Sequence, residues 1–394
     1  MNSAENFIEV GSSQRAKSGQ LISGDVFLSQ QVKPEGRIVS VLSDGLGSGV
    51  KASVLANMTA AMALRYAASA IDIRRSAEIM MDTLPICSVR KISYSTFTIV
   101  DIAETGGTRI IEHGNPPYLI VRPDGKVPIQ KTEIRPVRWQ DRVISFSTFY
   151  LKREDRIIFF SDGITQAGMG DYRTPLGWGL PSVEQFACEQ IARNPRISAR
   201  ELSRLLVAQA EEVDGRAAKD DITCGVVYVR SPRQLLVMTG APFQRAHDQD
   251  LARIAENTPG RKVICGGTTA NILSRILHRE IRVDLHQPTD KRVPPWARMI
   301  GFDLVTEGTL TLGETMRLLE RGFAPEDMKA NAAVRLAALL VESDVVKFAV
   351  GTRINEAHQD PNIPVNLDLR RNLVKRIADL LESRYMKRVS IQYV

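Results

Sequence analysis

Four apolar runs in this chain meet acidic residues where each run begins or ends, and this pattern constrains the fold more than any other feature. The acids are Asp25 in SGDVF, Asp44 in SDGLGSG, Asp162 in FFSDGITQ, and the pair Asp220 and Asp221 in KDDITCG. Each apolar run has the length and composition of a β-strand. A fold that gathers these strand ends would place the carboxylates in one cluster.

Each acid taken alone also has a simpler interpretation as a turn residue. An aspartate followed by glycine commonly ends a strand, because Asp caps nearby backbone and Gly supplies a positive φ. The turn interpretation weakens for the set, since the SDG signature occurs twice and an acid pair opens a further apolar strand. Clustered carboxylates repel one another unless cations neutralise them.

The acids favour a hard divalent cation. No His or Cys ligand spacing accompanies them, and oxygen-only sites select Mg²⁺ or Mn²⁺ over zinc. Gly45, directly after Asp44, leaves its carbonyl oxygen accessible as a neutral ligand because it has no side chain. Two metals about 3.5 to 4 Å apart would activate a shared water for hydrolysis of a phosphoryl group.

The motifs also resemble a known family. GDVF, VLSDGLGSGVKAS, GNPPYLIVRPDG, IIFFSDGITQA and DDITCGVVYV follow one another in the order and approximate spacing of the metal-dependent (type 2C, PPM) serine/threonine phosphatases. The chain looks most like the bacterial SpoIIE-like branch, over about residues 18–230. The resemblance implies an α+β fold, in which two antiparallel sheets flanked by helices form an αββα sandwich.

The resemblance further implies two Mn²⁺ or Mg²⁺ ions. Asp44 would bridge both ions, while Asp25 and the Gly45 carbonyl would bind the second. Asp44 and Asp25 are accordingly the predicted catalytic residues.

The remaining acids also take their roles from the resemblance. Asp162 and Asp220 would bind the first metal. Asp221 would support the site without touching a metal, because the leading residue of the family's last motif is the ligand. One segment departs from the pattern, since relatives often have GHNPP where this chain reads EHGNPP. We interpret His113 in that segment as the end of a strand before a Pro-Pro turn.

Length predicts two domains. A chain of 394 residues with 43% hydrophobic residues is long enough for two cores. We place the phosphatase domain at residues 1–232 and a smaller α/β domain at 233–394, because strands and helices alternate after Arg230-Ser231-Pro232-Arg233. Such alternation is typical of a parallel sheet.

The predicted elements of the first domain are strands and two helical pairs, the first pair directly after Asp44. The strands lie near residues 22–30, 36–43, 93–102, 108–113, 117–122, 156–160 and 222–230, and the helices near 49–70, 74–84, 182–193 and 198–213. Relatives use the helices that follow Asp44 as a switch, and we keep that role as a hypothesis. We interpret Met58, Met62, Met80 and Met81 on these helices as core residues.

The second domain contains one weak motif. VICGGTTANILSRIL reads as a strand, a Gly-Gly turn and a helix. Gly266, Gly267, Thr268 and Thr269 could therefore hold a small anionic ligand at a helix N-terminus. A turn that only caps the helix explains the same residues. We predict that this domain is regulatory.

Composition argues against several classes of protein. The net charge is +7, yet Lys and Arg are dispersed and no nucleic-acid-binding motif is present. The chain lacks a long apolar run for a membrane span and a recognisable signal peptide. Its four cysteines are widely separated in apolar surroundings, which predicts reduced core residues and a cytoplasmic location.

The sequence therefore predicts a protein phosphatase that acts on phosphoserine or phosphothreonine. The resemblance suggests a regulatory phosphoprotein of the anti-sigma antagonist type as the substrate, and a homodimer. The alternative is a catalytically silent pseudophosphatase that binds proteins or senses a ligand.

Overall fold

The chain forms two compact units, Met1–Ser231 and Pro232–Val394, in a computed structural model. The structure describes residues 6–32, 36–47, 49–68, 73–83, 95–122, 130–134, 142–283, 293–323, 331–353, 363–385 and 387–394. No helix among these residues is both long and apolar enough to cross a membrane.

The described part of the first unit contains ten strands and five helices. The strands are β1 (Phe7–Arg15), β2 (Asp25–Val32), β3 (Arg37–Gly45), β4 (Ser95–Ala103), β5 (Gly107–His113), β6 (Leu119–Val121), β7 (Gln130–Ile134), β8 (Ile144–Tyr150), β9 (Arg156–Phe160) and β10 (Ile222–Arg230). The helices are α1 (Val50–Ala68), α2 (Ile73–Thr83), α3 (Asp162–Thr165), α4 (Leu180–Arg193) and α5 (Ala199–Val213).

These strands form two antiparallel sheets. The larger has the order β2-β3-β4-β5-β8-β7, and the smaller has the order β1-β10-β9-β6. One apolar core contains side chains of both sheets, including Val100 of β4 and Phe159 of β9. Helices α1 and α2 cover the outer face of the larger sheet, and α3 to α5 cover the outer face of the smaller one.

Strand β9 shows why its sequence is apolar throughout. Ile157 and Phe159 face the core between the sheets, whereas Ile158 and Phe160 face the helices. Alternate residues of a strand point to opposite faces, so a strand covered on both sides needs apolar residues at every position. The predicted αββα sandwich is confirmed.

Two details of the sequence interpretation are wrong. Met80 and Met81 are buried, but Met58 on α1 is 59% exposed. Of the cysteines, Cys224 and Cys265 are buried and Cys188 is exposed on α4.

The second unit has one mixed sheet in the order β13-β14-β15-β12-β11-β16-β17. Its strands are β11 (Gln234–Thr239), β12 (Arg261–Cys265), β13 (Arg282–Val283), β14 (Ala297–Met299), β15 (Phe302–Thr306), β16 (Val345–Val350) and β17 (Arg388–Tyr393). Its helices are α6 (Asp248–Asn257), α7 (Gly267–Leu277), α8 (Thr309–Arg321), α9 (Ala332–Glu342) and α10 (Ile363–Ser383). Five strands are parallel, as expected for an α/β unit. At one edge, β14 pairs antiparallel with β15, and β13 pairs antiparallel with β14.

Candidate metal centre

The larger sheet brings Asp25 and Asp44 side by side. Asp25 begins β2 and lies directly opposite Asp44 in the antiparallel ladder with β3. Side chains of such a pair share one face of the sheet, with Cβ atoms within about 5.5 Å. At Gly45, a Cβ atom would lie 2.2 Å from the carbonyl oxygen of Ala52. Glycine is therefore needed where this strand end packs against α1.

The smaller sheet supplies the other acids. Asp162 follows β9 and is the first residue of α3. Asp220 and Asp221 directly precede β10, the strand that pairs with β9. A Cβ atom on Gly163 would lie 2.1 Å from the carbonyl oxygen of Asp221. The glycine of this second SDG motif thus allows the two loops to touch.

The ends of the two sheets meet in an acidic cluster, which we define as Asp25, Asp44, Asp162 and Asp220. Burial raises the pKa of Asp44 to about 9, and the charges of the other three members contribute. Burial is also the largest cause that raises the pKa of Asp25 to about 7. Burial and the charge of Asp220 raise the pKa of Asp162. The four predicted metal-binding acids therefore lie within electrostatic reach of one another.

The carboxylate of Asp25 is the least satisfied group of the cluster. The residue is 3% exposed, and neither of its carboxylate oxygens has a hydrogen-bond partner among the described residues. The hydroxyls of Ser161 and Thr223 lie close enough to lower its pKa against the larger effect of burial, but neither makes a hydrogen bond of ordinary geometry with it. A buried carboxylate without partners costs several kcal/mol unless it is protonated or meets a cation.

The donor set of the cluster suits a hard divalent cation. Within the described residues, no three His, Cys, Asp or Glu side chains already stand in a metal-binding geometry. The four acids are brought together by the positions of their strands, and their charges interact, but their oxygens do not yet surround a common point. Four carboxylates and the Gly45 carbonyl provide only oxygen ligands, which Mg²⁺ and Mn²⁺ prefer. The orphaned oxygens of Asp25 fit such an ion. The assignment of each acid to a particular metal stays a prediction.

Asp221 has a structural task of its own. Its Oδ1 accepts a hydrogen bond from the backbone N–H of Lys17 at 2.9 Å, and its Oδ2 accepts one from Gly24 at 2.9 Å. Both oxygens thus hold the segment that leads into Asp25. These contacts agree with a supporting role for Asp221, which the sequence interpretation proposed.

Several side chains near the cluster were not identified from the sequence, among them Gln14, Ser161, Gln166 and Thr223. Gln14 donates hydrogen bonds to the Ser23 hydroxyl and to the Asp25 carbonyl, at 2.8 and 2.7 Å. Ser161 accepts a hydrogen bond from the backbone N–H of Thr223 at 3.0 Å. Of Gln14, Ser161 and Thr223, only Ser161 has a signal in the sequence, because it is the serine of the second SDG motif. The contacts of Gln14 and Thr223 depend on strand pairing, which the sequence does not show.

Other sequence candidates lie apart from this chemistry. The ring of His113 is 6% exposed, its Nδ1 lies 2.8 Å from the Val143 carbonyl oxygen, and burial lowers its pKa. In the second unit, Gly266 is the N-cap residue of α7, and Gly267, Thr268 and Thr269 form its first turn. These contacts favour a structural role for His113. The positions of the four α7 residues fit both a simple helix start and an anion site.

Comparison with known proteins identifies the first unit. The model of the family "Stage II sporulation protein E (SpoIIE)" matches residues 34–230, which is half of the 394-residue chain. Stage II sporulation protein E of Bacillus subtilis strain 168 is 25% identical over 159 residues, a match that covers 40% of this chain. The matched region spans only 19% of the length of that protein.

Solved structures of other proteins are similar to this chain. The phosphatase domain of the cell fate determinant SpoIIE from Bacillus subtilis is 20% identical with a TM-score of 0.42, over 57% of this chain and 93% of the other. The RsbU and RsbW domains of a Mycobacterium tuberculosis protein are 15% identical with a TM-score of 0.44, over 69% and 72% of the two chains.

Proposed function

The chain belongs to the SpoIIE family, with a protein phosphatase domain of the PPM type in its first unit, and on that premise we propose that it hydrolyses phosphoserine or phosphothreonine on a regulatory protein. The observation that carries this proposal is the acidic cluster, whose four carboxylates come from two sheets and interact with one another, with Asp25 buried and Asp44, Asp162 and Asp220 partly buried. A fold that only needed turns at these positions would have no reason to bury like charges together.

We propose two Mn²⁺ or Mg²⁺ ions as cofactors. Asp44 would contact both, Asp25 and the carbonyl of Gly45 would contact the second, and Asp162 and Asp220 would contact the first. When bound, such ions lower the pKa of a shared water and polarise a phosphoryl oxygen.

The chain contributes a set of carboxylates that are held in place and partly protonated without a cation. Because the pKa of Asp44 is raised to about 9 and that of Asp25 to about 7, both carboxylates retain protons near neutral pH. These protons must leave before the oxygens can act as ligands. We therefore expect metal affinity to increase with pH between about 6 and 9.

The second unit is proposed to be regulatory. The resemblance to the SpoIIE-like branch also suggests a substrate of the anti-sigma antagonist type, a homodimer and a cytoplasmic location, and we carry these forward as proposals. The helix pair α1 and α2 remains the candidate switch, because the Ala52 carbonyl of α1 touches the position where Gly45 has no side chain.

Turnover by the full chain tests the proposal. Hydrolysis of p-nitrophenyl phosphate and of a phosphoserine peptide would be measured with Mn²⁺ or Mg²⁺ and with EDTA. We expect metal-dependent turnover that falls about a thousandfold in Asp44→Asn, since Asp44 is the acid proposed to hold both metals. The control Glu189→Gln removes a carboxylate from the exposed surface of α4 and should leave turnover unchanged.

A pseudophosphatase would behave differently in the same experiment. Wild type and Asp44→Asn would then be equally inert under every metal condition, although both remained folded. The complete set of carboxylates favours the enzyme over this alternative.

A further inference from the structure

The second unit has a strand order that defines a ligand-binding edge. Its five parallel strands occur in the order β15-β12-β11-β16-β17, so the first strand along the chain lies in the middle and the order reverses between β11 and β16. Helices α6 and α7 pack on one face of the sheet, and α8 to α10 pack on the other. Open sheets of this kind bind ligands beyond the carboxyl ends of the strands, near the reversal.

The first turn of α7 lies at this edge, directly after β12. Its N-cap residue is Gly266, which offers no capping side chain, and a Cβ atom on Gly267 would meet no described atom within 4 Å. The next helix is different, because Glu307 Oε2 accepts a hydrogen bond from the backbone N–H of Leu310 at 2.9 Å. Among the described residues no side chain caps α7, and there is room beside Gly267, so the N-terminal end of this helix favours an anion.

Buried hydroxyls without partners lie at the same edge. Thr239 ends β11, Thr269 is in the first turn of α7, and Thr311 is in the first turn of α8. All three are 0% exposed, and none of their Oγ1 atoms has a hydrogen-bond partner among the residues that the structure describes. Thr269 Oγ1 points back towards the N-cap, 3.5 Å from where a Cβ atom on Gly266 would lie. Buried hydroxyls without partners are unfavourable, so their coincidence at one edge leaves polar groups there that a ligand could satisfy after a small local movement.

Arg370 of α10 adds a positive charge. A Cβ atom on Gly240, the residue after β11, would lie 2.8 Å from Arg370 Nη1. Its Nε is buried and has no hydrogen-bond partner in the described part of the chain. Burial lowers the pKa of this guanidinium, and the charge of Glu307 acts in the opposite direction. Gly240 and Gly266 follow paired residues of the adjacent parallel strands β11 and β12, so the cation and the α7 turn belong to one neighbourhood.

We propose that this edge binds a small molecule with one phosphate group, which contacts the N–H groups of the α7 first turn and faces Arg370. The negative charge of Glu307 close to Arg370 disfavours a more highly charged polyphosphate. The site is separate from the acidic cluster and needs no metal. It gives the proposed regulatory unit a ligand class and named contacts.

Calorimetric titration of the full chain in EDTA tests the site without loading the acidic cluster. The probes are inorganic phosphate, AMP and adenosine. We expect phosphate or AMP to bind and to raise the unfolding temperature, and adenosine to do neither. Tighter binding of AMP than of phosphate would identify a nucleotide as the ligand, whereas equal binding would identify free phosphate.

Variants locate the binding. Gly267→Asp puts a carboxylate into the open space at the α7 N-terminus, where it suits the helix dipole, so the variant should fold at least as stably as wild type. We expect this variant and Arg370→Gln each to weaken AMP or phosphate binding about tenfold or more, because charge-assisted hydrogen bonds are lost. Gly313→Ala is the matched control, since Gly313 also has nothing within 4 Å but lies inside α8.

Three results would overturn the proposal. They are the absence of binding by phosphate and AMP at millimolar concentration, binding of adenosine as tight as that of AMP, and unchanged affinity in both Gly267→Asp and Arg370→Gln. Unfolding temperatures of the variants, measured without ligand, separate a lost contact from a lost fold.

Discussion

Asp44 and Asp25 make the stability of the metal-free protein depend on pH. Their pKa values rise from 3.8 in the unfolded chain to about 9 and about 7 in the folded state, so between these limits the folded state binds more protons. The free energy of unfolding then falls as pH rises from about 4 through about 9, by about 1 kcal/mol per pH unit for each extra bound proton. We expect Asp44→Asn to flatten this decline and to be more stable than wild type at pH 8.

Urea unfolding in EDTA at pH 6, 7, 8 and 9 measures this effect. The comparison of wild type with Asp44→Asn cancels the contributions of other titrating groups. Saturating Mn²⁺ should remove most of the decline in the free energy of unfolding with rising pH in wild type, and little of that decline in Asp44→Asn. Parallel stability profiles for the two proteins in EDTA would show that Asp44 does not carry a raised pKa.

Gly163 provides a second test at the scale of single residues. Its missing side chain lets the loop before β10 approach, since a Cβ atom would lie 2.1 Å from the Asp221 carbonyl oxygen. We expect Gly163→Ala to separate the two loops, to cost about 1 to 3 kcal/mol of stability and to weaken Mn²⁺ binding. Gly107→Ala is the control, because its Cβ would make only ordinary contacts at 3.5 Å or more. Equal Mn²⁺ affinity in both variants, by calorimetry, would contradict the prediction.

The residue types and their local setting could be predicted from the sequence, but their surroundings could not. The SDG motifs mark Asp44 and Asp162 because a strand end, an acid and a glycine are adjacent in the chain. The orphaned state of Asp25 and the hydrogen bonds of Gln14 depend on which strands pair. Periodicity along one strand contains no information about its partner in the sheet.

At the scale of elements, Asp221 ties the chain before β2 to the start of β10. It accepts hydrogen bonds from the backbone N–H groups of Lys17 and Gly24. In Asp221→Asn, an amide N–H₂ would face one of these donors, which leaves a hydrogen bond unmade at a cost of about 1 to 3 kcal/mol. We expect the segment from Lys17 to Gly24 to exchange amide hydrogens faster and to be cleaved sooner by proteases.

Hydrogen exchange by mass spectrometry and limited proteolysis report this change directly. The control is Asp171→Asn, because Asp171 is exposed and its side chain accepts a hydrogen bond from the nearby backbone N–H of Arg173. Exchange of the Lys17 to Gly24 segment that is as slow in Asp221→Asn as in the control would show that other contacts hold it.

Elements with strong periodicity were predicted better than short ones. Strands β9 and β10 and helix α5 lie close to their predicted bounds, because their apolar patterns are long. Strand β16 was not predicted, since VVKFAV is a short apolar run that a helix could equally contain. Met58 was misplaced because α1 has small Ala residues on its buried face, so the larger side chain did not mark the core.

At the scale of the whole molecule, order along the chain does not give order in the sheet. Alternating strands and helices predicted a parallel sheet for the second unit, but the central position of β11 and the antiparallel edge of β13 and β14 arise from long-range pairing. The α7 turn, Thr239 and Arg370 are far apart in sequence for the same reason. The sequence alone could therefore identify the Gly-Gly turn but not the other groups at this edge.

The two units make a prediction about control of the phosphatase. Each unit has its own sheets and apolar cores, so a chain of residues 1–231 should fold alone. If the second unit is regulatory, the full chain and residues 1–231 should differ in Mn²⁺-dependent turnover or in the response of that turnover to AMP.

We expect AMP to change turnover of the full chain at least about twofold, because a ligand that binds one state more tightly shifts the population towards it. Residues 1–231 should not respond, and Gly267→Asp in the full chain should respond weakly. Identical turnover and an identical response in the full chain and in residues 1–231 would rule out a regulatory role for the second unit.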